Sequence, residues 1–278
     1  MKIVCKVQSG LCNRLIPFIT TYCLSLESNS EYYLYWDDNC MDLDYKYKGE
    51  KTKYEDMFEY IEDINYINLE QFNEFLKKDN NTLIININNN FSYTLDDLKN
   101  FELIIFNDYY YPVYLKKDNI KFKSYTDNFN LDYKWITKIS NIFLKLKLKK
   151  YINEKLLPFD NKDIVGLHIR HWPIKWMKDQ NINKNDYLKN LFKAIYDEIN
   201  KNKQVKFFVS TSNKDVLLKI KDIFKDRIIY FKERFGHPNI DFFYNNDSSI
   251  DYCTFNKNIN GLVDLVLLSK CSKIYCQK

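Results

Sequence analysis

The sequence predicts an α/β protein built from two Rossmann-like halves, and three observations carry that expectation. Strand-like and helix-like runs alternate along most of the 278 residues, a pattern that favours parallel sheets over hairpins. The alternation restarts after Pro158, which ends a Leu- and Lys-rich helical stretch from Lys134 to Leu157. Two strands run into polar turns in separate halves: Ser9-Gly10-Leu11-Cys12-Asn13-Arg14-Leu15 and Val165-Gly166-Leu167-His168-Ile169-Arg170. Facing each other, two such units would line a cleft with donors for an anion, most simply a nucleotide diphosphate.

Each element follows from local pattern. Ile3 to Val7 is a short β-branched strand that Gly10 breaks. From Asn13 to Glu27, apolar residues at Leu15, Ile16, Ile19, Tyr22, Cys23 and Leu26 have the spacing of one helix face. Glu31 to Trp36 alternates as a strand. Lys53 to Tyr60 and Leu69 to Lys78 read as helices, and Thr82 to Ile87 and Glu102 to Phe106 as strands. The Asn-rich run at 86–90 reads as a loop. In the second half the strands are Asp163 to Ile169, Val205 to Ser210, Arg227 to Phe231 and Ser272 to Cys276. The helices between them are Asn185 to Asn200, Lys214 to Phe224 and Gly261 to Lys270, with a long polar-aromatic loop from Lys232 to Asn258. A loop of that length inside a domain suggests function. The boundary falls near residues 150 to 162, giving domains 1–155 and 156–278.

Composition narrows the partners. Hydrophobic residues make up 45% and aromatics 17%, enough for sizeable cores. The net charge of +5, from 42 basic and 37 acidic residues, is too evenly spread to demand nucleic acid, yet it suits an anionic ligand. Seven cysteines without a C-x-x-C fit neither a disulfide framework nor a zinc ribbon. They read as reduced, mostly buried thiols in a cytoplasmic setting. Met1 to Val7 is a strand with charges inside it rather than a signal peptide. No run approaches the roughly 18 apolar residues that a membrane span requires.

Chemistry concentrates at the strand ends. After Gly10 the helix start offers free N–H groups and a positive dipole end. There Asn13 can cap the helix or donate to a phosphate, and Arg14 can reach a phosphate at longer range. The same residues also make an ordinary strand–turn–helix with an N-cap Asn and a surface Arg. His168 and Arg170, two apart on one strand, share a face at the end where ligands sit in open parallel sheets. Arg170 could grip a diphosphate through two N–H groups while His168 holds an oxygen or orients it; a buried pair satisfied by carbonyls is the other reading. Phe207 to Asn213 ends in Ser210, Thr211, Ser212 and Asn213, a cluster suited to ribose or base contacts or to capping the next helix. The three histidines, His168, His171 and His237, lack metal-ligand spacing, so no metal is expected. Tyrosine-rich segments such as Tyr109-Tyr110-Tyr111 read as core or strand-edge material. Some tyrosines could stack on sugars, though spacing selects none of them.

Four of these segments, in order, resemble the inverting fucosyltransferases with a two-Rossmann, GT-B type architecture: the α1,2-, α1,6- and protein O-fucosyltransferase superfamily. Gly10-Leu11-Cys12-Asn13-Arg14-Leu15 is similar to the amino-terminal G-x-G-N turn, with Cys12 in place of the second Gly. Leu167-His168-Ile169-Arg170 resembles the H-x-R donor motif, followed here by His171-Trp172-Pro173 rather than Arg-Gly-Asp. Phe207 to Asn213 resembles the second motif, with Ser212 and Asn213 where an acidic residue is usual. Asp264-Leu265-Val266-Leu267-Leu268-Ser269-Lys270-Cys271 resembles the D-x-x-L-(M/L)-S-x-C helix before the third motif. That third motif, a Ser-rich turn, and the crossover helix returning to the first domain have no counterpart before Lys278.

The resemblance implies transfer of fucose from GDP-fucose to a glycan or other acceptor, with inversion and without metal or other cofactor. The amino-terminal domain would serve the acceptor and the carboxyl-terminal domain the sugar nucleotide. Arg170 would hold the β-phosphate of the departing GDP and His168 would seat the nucleotide. Asn13, with Gly10 and Arg14, would approach from the other domain, and Ser210 to Asn213 with Asp264 would complete the donor side. Without a metal, a departing diphosphate needs a fixed cation and convergent N–H donors. No motif assigns the base; Asp37, Asp38 and Asp179 are candidates that also read as solvated loop carboxylates. The missing third motif keeps open a non-catalytic sugar-nucleotide or carbohydrate-binding relative, or a transferase using another nucleotide sugar.

Overall fold

A computed structural model describes residues 1–8, 11–37, 52–78, 81–85, 92–107, 110–114, 119–124, 133–156, 163–169, 184–211, 214–231 and 254–276. Internal contacts divide the chain into two units, Met1–Lys150 and Tyr151–Lys278.

The first unit is organised around β1 (Lys2–Val7). Ile3, Val4 and Cys5 are completely buried, as expected of a strand covered on both faces in a parallel sheet. β1 pairs in parallel with β2 (Glu31–Trp36), from Lys2 opposite Glu31 to Val7 opposite Trp36. With β3 (Ile64–Tyr66), β4 (Thr82–Ile85) and β6 (Leu103–Phe106), the sheet order is β3-β2-β1-β6-β4. Strand order reverses between β1 and β6, so their carboxyl ends mark the natural ligand crevice of this sheet.

Helix α1 (Leu11–Ser28) follows β1 and packs on the sheet, on β7 (Tyr110–Tyr114) and on α4 (Tyr133–Lys145). Covered on several sides, it buries a nearly continuous run from Pro17 to Ser25. Pro17 sits beyond the first turn and cannot donate to the Asn13 carbonyl. The hydroxyls of Thr20 and Thr21 donate back to the Ile16 and Pro17 carbonyls, at 2.7 and 2.6 Å, through this bend-prone stretch. Lys138 of α4 pairs with Glu27 of α1. Below α1, Thr21 Oγ1 and Tyr32 Oη lie 2.7 Å apart, and burial pushes the Cys5 thiol up to about 12. That thiol is inert at neutral pH.

A three-stranded antiparallel sheet, β5-β8-β7, completes this unit from β5 (Ser92–Tyr93) and β8 (Ile120–Ser124) with β7. Pro112 lies in β7, an edge strand, where a missing N–H is tolerated. Helices α2 (Leu69–Leu76) and α3 (Leu95–Lys99) both start with reciprocal capping boxes, Asn68 with Gln71 and Thr94 with Asp97.

The second unit is a parallel sheet ordered β11-β10-β9-β12, built from β9 (Ile164–Ile169), β10 (Lys206–Thr211), β11 (Ile228–Ile229) and β12 (Lys273–Cys276). Val165, Leu167 and Ile169 of β9 join Phe207 and Val209 in a core with Leu191 and Ile195 of α6 (Lys184–Lys201) and Val216, Leu217 and Ile220 of α7 (Lys214–Phe224). On the opposite face α8 (Thr254–Ser269) approaches β9 closely. A Cβ at Gly166 would lie 2.9 Å from Leu268 Cδ2 and 3.3 Å from Cys271 Sγ, which explains a glycine inside a strand.

Glu198 clamps β12 to α6. Its Oε1 accepts from Lys273 Nζ at 2.8 Å, Tyr275 Oη at 2.7 Å and Lys201 Nζ at 3.1 Å. The hydrogen bond from Lys273, then those from Tyr275 and Lys201, hold its carboxyl down at about 2, below its ordinary 4.5. A depressed carboxyl stabilises the fold above its unfolded value and loses that contribution as pH falls through the folded one. Glu198→Gln should therefore melt below wild type at neutral pH, with the gap closing between about pH 4.5 and 2. A gap that stayed constant to pH 2 in paired melting curves would remove the ionic account.

The structure corrects several expectations. Lys53–Tyr60 is not a helix but a single 3-10 turn, Tyr54–Asp56, followed by a bridge from Phe58 to Leu148. That bridge splits the stretch expected to be one helix from Lys134 to Leu157 into α4 and α5 (Lys150–Lys155). The final helix begins at Thr254 rather than Gly261, so 254–258 is not loop; the Asn-rich run and 232–253 lie outside the described residues. The third sheet was not foreseen. Ile16 and Leu26, counted on the buried face of α1, are exposed. Of the five described cysteines, all free, Cys5 and Cys23 are buried, Cys271 is half-buried, and Cys12 and Cys276 are exposed.

Candidate functional site

At the carboxyl edge of the first sheet, β1 delivers Gln8, and β2 delivers Trp36 and Asp37. Gln8 and Asp37 are both buried. Asn13 is the third residue of α1 and half-buried, so it stands inside the first turn and is not the cap residue. The first-turn N–H groups of an 18-residue helix lie at this edge with the positive end of its dipole. Gly10 lies outside the described residues.

Arg14 is neither a surface residue nor open to a phosphate: it is 2% exposed. Its Nη1 donates to the Thr52 carbonyl at 3.1 Å, and its guanidinium lies 5.3 Å from the centre of the Trp36 ring. Trp36 Nε1 donates to the same carbonyl at 3.2 Å. Arginine suits this place because its flat, weakly hydrated cation can stack and donate at once. It fastens the segment entering the 3-10 turn to α1 and β2.

Asp37 is 5% exposed, and its N–H donates to the Val7 carbonyl at 2.8 Å, prolonging the β1–β2 ladder. Its carboxylate lies 3.7 Å from Lys6 Nζ, itself only 18% exposed at the side chain. It is thus an enclosed, paired carboxylate rather than a solvated one. Asp38 and Asp179 lie outside the described residues.

At the carboxyl edge of the second sheet, His168 is exposed on the strand that flanks the order reversal between β9 and β12. Its register partners are Ser210 on β10 and Cys276 on β12. Ser210 Oγ donates to Asp264 Oδ2 at 2.8 Å, joining β10 to α8, and Ser210, Thr211 and Asp264 are all buried. These three therefore brace the strand tip from behind. Arg170, Ser212 and Asn213 lie outside the described residues. Asp264→Ala should strand the Ser210 hydroxyl at a cost of roughly 2 kcal/mol, read as a lower melting temperature, whereas Asp264→Asn keeps an acceptor and most of the stability. Equal losses in the two variants would show that the hydrogen bond is not what matters there.

Among the described residues, no group of three His, Cys, Asp or Glu side chains could hold a metal ion. None of their helices is long and apolar enough to cross a membrane. Sequence reasoning missed Lys6, Thr52 and the ring of Trp36, which only the sheet register and the 3-10 turn bring to Arg14 and Asp37.

No family model matches the sequence, and no curated protein matches it. Solved structures do. The chain superposes on the fucosyltransferase NodZ from Bradyrhizobium with a TM-score of 0.54 at 13% identity, over 98% of this chain and 87% of that one. The fold is that of the fucosyltransferases. The NodZ alpha-1,6-fucosyltransferase co-crystallized with GDP gives the same score over 99% and 87% of the two chains. POFUT1 in complex with GDP matches with a TM-score of 0.50 at 9% identity, over 99% and 97%. The superposition covers 98% of this chain and so takes in both parallel sheets.

Proposed function

We propose that the chain is a glycosyltransferase that moves fucose from GDP-fucose to a glycan or other acceptor, with inversion and without a metal. The observation that carries this reading is the placement of His168, exposed at the carboxyl end of β9 beside the strand-order reversal, in a chain with the fucosyltransferase fold. In such sheets that position receives the ligand, and Arg170 follows two residues on. The structural neighbours include NodZ soaked with GDP-fucose and POFUT1 with GDP, which supports a guanine nucleotide sugar as donor.

In this reading the acceptor hydroxyl oxygen attacks the anomeric carbon of fucose from the face opposite GDP. The bond from that carbon to the β-phosphate oxygen breaks, and GDP leaves with the electron pair. Arg170 supplies a fixed positive charge where negative charge develops, and His168 seats the nucleotide. At the carboxyl edge of the first sheet, Asn13 and the first-turn N–H groups of α1 offer donors of their own. The acceptor hydroxyl's proton passes to a base or to water, and Asp37, enclosed beside Lys6, is better suited to holding the β1–β2 tip than to that task. We place the chain in a reducing, cytoplasmic compartment, where exposed cysteines such as Cys276 persist as thiols. The test is a melting curve: millimolar GDP should raise the transition by several degrees, and radiolabelled GDP-fucose should yield free GDP and a fucosylated product. An unmoved transition excludes the donor assignment.

A further inference from the structure

Among the described residues Tyr60 is the most exposed tyrosine, at 58%, yet it is held in place from several directions. Its ring stacks on Tyr54 at 6.0 Å and 26°, and meets the edge of Tyr66 at 4.6 Å and 67°. Tyr54 is buried and continues the row to Trp36, at 5.7 Å. The backbone beneath is pinned three times. The Glu59 N–H donates to the Lys147 carbonyl at 2.8 Å, Tyr54 Oη donates to the Glu59 carbonyl at 3.3 Å, and the Ile61 N–H donates to Tyr66 Oη at 3.1 Å. Partial burial, then the Glu55 carboxylate and its hydrogen bond, raise the phenol above its ordinary value. Trp36 ends β2 and Tyr66 ends β3, so this aromatic row runs along the same carboxyl edge that carries Asp37 and α1.

An immobilised ring with an open face is preorganised for stacking, because the ordering cost is met before a ligand arrives. Charge selects among stacking ligands. Residues 53–63 hold Glu55, Asp56, Glu59, Glu62 and Asp63 against the single Lys53, with Lys149 paired to Glu59 at 2.9 Å. Phosphate-bearing ligands are repelled there, while neutral hydroxyls find carboxylate acceptors on the same short segment as the ring.

We propose that Tyr60 is the stacking platform of a neutral-sugar subsite, with Glu55 and Glu59 accepting hydrogen bonds from the sugar hydroxyls. Resting on the transferase reading, this subsite takes a pyranose unit of the acceptor glycan and has no part in holding GDP.

The test compares wild type, Tyr60→Ala, Tyr60→Phe and Tyr60→Trp on a printed array of neutral oligosaccharides, with GDP melting shifts measured in parallel. Wild type should label a subset of glycans. Tyr60→Ala should weaken that labelling by about tenfold, the size of one lost stacking contact, while Tyr60→Trp and Tyr60→Phe retain it. Tyr60→Ala should melt a few degrees lower for its lost ring contacts, and all four proteins should respond equally to GDP. Equal labelling by wild type and Tyr60→Ala overturns the subsite, as does wild-type protein that labels no glycan. A wild type that labels glycans through Tyr60 but ignores GDP would sink the donor assignment alone.

Discussion

On the proposed function, Arg170→Ala is expected to abolish a GDP-dependent rise in melting temperature and to lower fucosyl transfer by roughly 10²–10³-fold, the usual loss when one preorganised charge donor is removed. A nucleotide present at about 100 times its dissociation constant stabilises the folded state by roughly 2.7 kcal/mol, which for a chain of this size is a shift of several degrees. That shift should vanish in the variant while its melting point without GDP stays within about 1 °C of wild type, because a side chain kept for a ligand contributes little to the unliganded fold. Arg170→Lys should recover little, since a point charge cannot reproduce a two-pronged grip on phosphate oxygens. Titration calorimetry with GDP and a product assay report the two effects separately. Undiminished GDP binding by Arg170→Ala would remove the guanidinium from the donor site.

Arg14→Ala should have the largest effect on folding. The variant loses a buried guanidinium that stacks on Trp36 and donates to the Thr52 carbonyl, and it opens a void beneath them. Together these cost roughly 3 kcal/mol, a fall of about 6–12 °C in the melting transition. Arg14→Lys restores charge without the flat stacking surface and should recover only part of that loss. Differential scanning calorimetry gives the stability, and GDP titration of the folded variant gives the binding. Normal stability with lost GDP binding would instead return Arg14 to the ligand-contacting part that its position after Gly10 suggests.

The contrast between these two arginines shows what a one-dimensional reading reaches. In the sequence both follow a strand-like run and both read as polar-turn residues, yet Arg14 lies inside α1 and is enclosed because β2 places an indole over it, across 22 residues of sequence. The alternating strands and helices were legible because each is encoded by its own short pattern, as in Ile3 to Val7 or the Asn68–Gln71 cap of α2. Where partners are distant, pattern failed. Tyr54, Met57 and Phe58 have helix-like spacing, but they are buried and Phe58 pairs with Leu148, which also interrupts the helix expected there. The antiparallel sheet was concealed by Pro112 in β7 and by the two-residue length of β5. Its strand β8 did carry a visible signal, with Ile120 and Phe122 buried on either side of exposed Lys121. In the second unit, Ser210 and Thr211 were legible as part of a polar strand end and Asp264 through a helix motif, but their enclosure depends on how α8 lies over β10.

The helix after β1 has no free side along much of its length: the five-stranded sheet, β7 and α4 all rest on it. Neither sheet of the amino-terminal half can keep its hydrophobic surface dry once that rod departs. The antiparallel ribbon thus has no autonomous existence, and loosening at either layer must propagate through the shared wall to the other.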